Sequence, residues 1–142
     1  MFDLSRFIHA QNQSWSGYQA ALSEMRRGFK NSHWIWYIFP QLRQLGKSST
    51  AVHYGIDGLE EAKAYAADPV LGPRLREITQ VVLEQSEPSA RILMGSGIDC
   101  KKLQSCMTLF EIADPEYSGY AGVLEKYYHG QRDRNTLNLL GL

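Results

Sequence analysis

Four prolines, Pro40, Pro69, Pro88 and Pro115, limit every element of this 142-residue chain to modest length. Proline lacks an amide donor and drives the residue before it toward extended geometry, so a helix cannot run through any of them. Between the breaks the apolar residues recur at helical spacing. Leu4, Phe7, Ile8 and Gln11 share one face behind Asp3, which is placed as an N-cap. Tyr18, Leu22, Met25 and Phe29 repeat 4-3-4 from Ser16 and close near Gly28. Leu75, Ile78, Val82 and Gln85 mark the inner face of a helix over Val70–Gln85, whose first turn tolerates Pro73. Leu103, Cys106, Met107 and Phe110 do the same between Asp99 and Ala113. Shorter helices fit Leu59–Ala67 behind Asp57, Ser89–Met94, Tyr117–His129 and Thr136–Leu140 behind Asp133. Ser48 or Ser49 caps a turn leading to Ile56, and Leu42–Lys47 reads as a loop. The short apolar run Trp34–Phe39 would also suit a buried strand, but no other segment alternates as a partner strand would, and a short helix is favoured. The expectation is a single all-α domain over residues 1–142, a bundle of about seven to nine short helices.

Composition limits the function. With 44% hydrophobic and 21% charged residues the chain can bury a core. Its formal net charge of zero argues against a polyanion as main partner, because phosphate neutralisation supplies most of such affinity. Local charge is uneven. No acid lies between Met25 and Ile56, where Arg26, Arg27, Lys30, Arg43 and Lys47 fall together with His33 and His53. Cys100 and Cys106 sit about 9 Å apart on a helix, too far for a disulfide, and read as free thiols. The remaining histidines have no metal-ligand spacing, and the sequence points to no cofactor. Neither a signal-peptide layout nor an apolar run of about 18 residues is present, so a cytoplasmic location is expected.

Three groups of residues carry possible chemistry. The first is the aromatic segment His33-Trp34-Ile35-Trp36-Tyr37-Ile38-Phe39-Pro40-Gln41. Read as a short helix, it puts Lys30, His33 and Tyr37 on one face. Cation, imidazole and indole together suit a planar ring with an attached phosphate or carboxylate. The structural alternative buries the aromatics as core and ties the polar residues into a hydrogen-bond network. The second group is Lys102 and Ser105, at i and i+3 near a helix N-terminus that follows Gly95-Ser96-Gly97, a place suited to an anion. Its alternative is a surface pair of Lys102 with Asp99, with Ser105 as a small packing residue. The third is Arg74, which opposes the helix dipole and therefore needs a partner, most simply Glu60 or Glu61.

These residues also carry a resemblance. Lys30-x-x-His33-Trp34-x-Trp36-x-x-Phe39-Pro40-Gln41 is similar to the signature of a bacterial and fungal family of unknown function, DUF1810. So are Tyr54-x-Ile56-x-x-Leu59-x-Glu61-Ala62-x-x-Tyr65, Val70-Leu71-Gly72-x-Arg74-Leu75 and Lys102-x-x-Ser105-x-Met107-Thr108-Leu109-Phe110. The resemblance implies an all-α domain and no established activity. Cys106 stands where the family usually has a second serine, so a hydroxyl is not expected to be essential there. Some relatives carry the label calpastatin. That inhibitor's repeats are disordered until they fold on their target, whereas this chain has a core of its own.

The sequence thus leads to a domain that binds a small anionic ligand, nucleotide-like or phosphorylated, between the two motifs. Lys30, Trp34, Trp36, Gln41, Arg74, Lys102 and Ser105 are the expected contacts. Should the domain be an enzyme, His33 is the expected acid or base, its unperturbed pKa of about 6.5 suiting that role. The alternative is a protein-interaction module presenting the aromatics as an exposed patch. Nucleic-acid binding ranks last. Burial of Trp34 and Trp36 separates the first two readings, and a shared concave surface is the requirement of the first.

Overall fold

A computed structural model describes residues 2–142. Among them ten α-helices form, slightly above the expected count: α1 (Ser5–Gln11), α2 (Tyr18–Arg27), α3 (Ile35–Ile38), α4 (Ser49–His53), α5 (Gly58–Ala67), α6 (Leu71–Glu84), α7 (Ala90–Met94), α8 (Gly97–Ala113), α9 (Gly119–Tyr128) and α10 (Arg134–Leu139). The extra elements are single turns. The aromatic segment contributes only the four residues of α3, and the expected loop after Pro40 holds a 3₁₀ turn, Arg43–Leu45. The chain beside it makes one isolated parallel bridge, Leu42 to Ile56.

The helix α8 is the hub. It packs against α3, α5, α7, α9 and α10. Every residue from Leu103 to Phe110 on it is buried, as expected for a helix covered on all sides. The second layer is α6, which lies on α2, α5 and α9. Phe7, Tyr65, Phe110 and Tyr120 chain together through the centre, with ring centroids 5.1 to 6.0 Å apart, separations at which aromatic pairs attract.

Caps follow the residue chemistry with some exchanges. Ser48, Ser89, Ser96 and Asp133 each accept from an amide in the first turn of α4, α7, α8 and α10. Ser96 caps α8, whose first residue, Gly97, lies two before the expected Asp99. Asp57 makes no capping bond; Glu61 reaches back instead and accepts from the Asp57 amide at 2.8 Å. Asp3 accepts from the Ser5 amide at 3.0 Å. Phe29 leaves the buried stripe. The chain turns left-handed at Gly28 (φ 87°), and Phe29 ends 52% exposed. Gln85 lies beyond α6, where its side-chain amide donates to the carbonyls of Met25 and Arg26 at the end of α2.

A candidate anion-binding hollow between the aromatic turn and α8

Glu24 of α2 organises the aromatic turn. It is 4% exposed and accepts from the amides of Asn31 and Ser32, the Ser32 hydroxyl and the Trp34 indole N–H at 2.6 to 3.0 Å. Burial pushes its pKa up, but the donors from Ser32, Asn31 and Trp34 outweigh this and leave it below the ordinary carboxylate value. Residues 28–34 therefore wrap around a carboxylate instead of continuing as helix. The helical face expected for Lys30, His33 and Tyr37 does not form.

Lys30 and Trp34 are parts of this scaffold. Trp34 is fully buried, and the Lys30 ammonium lies 4.9 Å from its ring. The same ammonium donates to the Ser32 carbonyl at 2.6 Å and pairs with Asp99 of α8 at 2.8 Å. Asp99 thus takes Lys30 as partner, and the expected surface pair with Lys102 is replaced. His33 is exposed, and its ring makes no hydrogen bond with any described residue. Arg74 is also engaged elsewhere. It donates to Gln11 and Asn12 at 3.2 and 3.1 Å, while Glu61 pairs with Arg6 at 2.9 Å, which corrects the expected Arg74–Glu61 pair.

A hollow of about 600 Å³, within the range typical of small-molecule sites, lies between the start of α8 and the chain that follows the aromatic segment; of that segment only Gln41 reaches it. Leu45, Lys47, Ser48 and Ala51 make one wall. The first turns of α8 make the other, through Gly97, Ile98, Lys101, Lys102 and Ser105. Gln41 stands between them, and Asp133 and Asn135 close the α10 side. Half-buried Trp36 does not line the hollow, but the ammonium of Lys102, which does, lies 5.5 Å from its ring. Of the residues expected in the site, the structure brings Gln41, Lys102 and Ser105 to this surface. Lys30, His33, Trp34, Trp36 and Arg74 do not line it.

Asp133, Lys101 and Lys47 were not legible as site residues. Asp133 is 1% exposed, and Ser105 and Thr108 hold it from α8. Ser105 Oγ lies 3.1 Å from its Oδ2, and Thr108 Oγ1 accepts from its amide at 2.9 Å. The serine and threonine of the late motif, one helical turn apart, thus serve to seat α10. Burial raises the Asp133 pKa, but the hydrogen bonds from Thr136 and the positive charge of the adjacent Lys101 ammonium outweigh it and hold the group below its ordinary value. A carboxylate held below its ordinary value and already accepting from Thr136 is a poor base for activating Ser105. Cys106 is sealed in the core, where burial pushes its thiol pKa well up. Among the described residues no three metal-ligating side chains come together, and no helix is long and apolar enough to cross a membrane.

The sequence matches the family described as "Protein of unknown function (DUF1810)" over residues 1–140. The chain belongs to the DUF1810 family. No curated protein matches it. Among solved structures, the conserved hypothetical protein Rv1873 from Mycobacterium tuberculosis is 45% identical, with a TM-score of 0.93 over 99% of this chain and 98% of that one.

Proposed function

We propose that this DUF1810 domain binds a small anionic metabolite, phosphorylated or nucleotide-like, in the hollow beside Trp36. One observation carries the reading. Lys47 from one wall and Lys101 and Lys102 from the other line the same hollow, and only Lys101 has a carboxylate partner among the described residues. Two ammonium groups without counter-ions on a concave surface attract an anion and hold it by charge-assisted hydrogen bonds. The first turn of the 17-residue α8 adds unpaired amides and the positive end of its dipole. Leu45, Ala51 and Ile98 offer apolar contact for a carbon skeleton. The aromatics do not form the exposed patch that a docking surface would need, since Trp34, Ile35, Ile38 and Phe39 are at most 2% exposed.

Thermal shift and calorimetry with inorganic phosphate, ribose 5-phosphate and adenosine monophosphate test this. At a hundred times its dissociation constant a ligand stabilises by about 2.7 kcal/mol. Lys47→Ala and Lys102→Ala should each weaken binding by about tenfold or more, and Lys63→Ala, on α5, should not. Binding that survives the double variant, or no shift with any probe, removes the reading.

A further inference from the structure

The two carboxylate oxygens of Asp133 are employed differently. Oδ2 is saturated by the Thr136 amide at 3.0 Å, the Thr136 hydroxyl and Ser105 Oγ. Oδ1 is shielded from solvent and accepts no hydrogen bond from any described residue. The Lys101 ammonium stands 2.9 Å from it as an ion pair, but off the direction that a hydrogen bond requires. Instead it donates to Gln104 Oε1 at 3.1 Å. The Lys101 side chain is itself 58% exposed. A desolvated acceptor on the wall of the hollow is thus covered by one long, solvent-facing cation. That ion pair is the one contact that compensates Oδ1, and a buried carboxylate oxygen whose single partner reaches into solvent calls for an explanation.

An anion entering the hollow competes for that cation. Lys101 can turn toward the anion, beside Lys102 and Lys47, and Asp133 then loses its cover. A bare oxyanion leaves the carboxylate unpaired and adds like-charge repulsion. A ligand with a hydroxyl close to its anionic group donates to Oδ1 and removes both penalties. Resting on the anion-binding reading above, we propose that the hollow selects phosphorylated polyols, sugar phosphates included, over bare oxyanions. Lys101 exchanges from Asp133 to the phosphate, and Asp133 Oδ1 accepts from a ligand hydroxyl.

Calorimetry on the full chain with ribose 5-phosphate and inorganic phosphate tests the exchange. The parent should bind the sugar phosphate about tenfold or more tightly than phosphate, the scale of one hydrogen bond to a charged group. In Asp133→Asn the two affinities should move in opposite directions. Phosphate gains because a like charge is gone, the sugar phosphate loses, and the ratio falls to about threefold or less. An Asp133 that only seats α10 would weaken both ligands together and leave the ratio unchanged, which overturns the proposal, as does a parent ratio near one. Lys101→Met decides if Asp133→Asn does not fold. It uncovers Oδ1, so phosphate should weaken while the ratio holds or grows, and a collapsed ratio overturns the proposal. Phosphate binding without hydroxyl preference removes only this inference; failure of both probes to bind removes the anion site as well.

Discussion

Charges at the motif residues act mainly on the fold, and their removal should be felt as lost stability. Lys30, with its side chain 6% exposed and paired to Asp99, joins the aromatic turn to the first turn of α8. Lys30→Met leaves Asp99 uncompensated and should cost about 3 kcal/mol in urea unfolding, the lower end for a broken buried pair. Asp99→Asn added to it should restore part of the loss. Acid sensitivity follows from Glu24 and Asp133, whose folded pKa values lie below their ordinary ones. The stability they contribute is fully present above an unfolded carboxylate pKa of about 4 and is lost as pH falls through the folded values. The melting temperature should therefore drop below about pH 4, and the drop should be shallower in Glu24→Gln. Glu24 could not be read from its position in α2. It lies one residue outside the acid-free stretch, and nothing local indicates that its carboxylate faces inward onto the next turn. Lys30 was legible as important, though the reason for its importance was not.

Close approaches at the ends of elements explain motif residues that carry no chemistry. Gly72, in the first turn of α6, leaves no room for a side chain, because a Cβ there would lie 2.2 Å from the Ala66 carbonyl oxygen of α5. Gly72→Ala must push α5 from α6 and should destabilise by about 1–3 kcal/mol, measured by thermal melts. The helices themselves were largely legible, because caps and apolar periods are local. Serines and aspartates placed before apolar runs gave the starts of α4, α7 and α10. The aromatic segment is where local reading fell short. Its composition suits a longer helix, but the four bonds that Glu24 accepts hold residues 31–34 in a loop and leave one turn, Ile35–Ile38. Side-chain competition for backbone donors outweighs propensity there.

One core runs through the described residues, from Phe7 of α1 to Leu124 of α9, with Trp34 inside it. Such continuity predicts a single cooperative transition. Far-UV circular dichroism and tryptophan fluorescence should give coincident urea midpoints, although Trp15 is 89% exposed and dilutes the fluorescence change. Separate midpoints would show that the aromatic turn unfolds apart from the α8 hub. At this scale the hollow also becomes intelligible. Its walls come from the 3₁₀ turn with α4, the start of α8 and the start of α10, which lie far apart in the chain.

Residue order alone was enough for the helical class, most element boundaries and the family. Each depends on interactions within a few positions, or on strings of residues that can be compared directly. The division of labour among those residues was set by packing. Lys30 and Trp34 went to the scaffold, Lys102 to the surface of the hollow, and Ser105 to holding Asp133. Asp133 and Lys101 lie 32 positions apart and meet at 2.9 Å. Whether a charge is neutralised, buried or free depends on what folding places beside it, and burial is what gives such a charge its force.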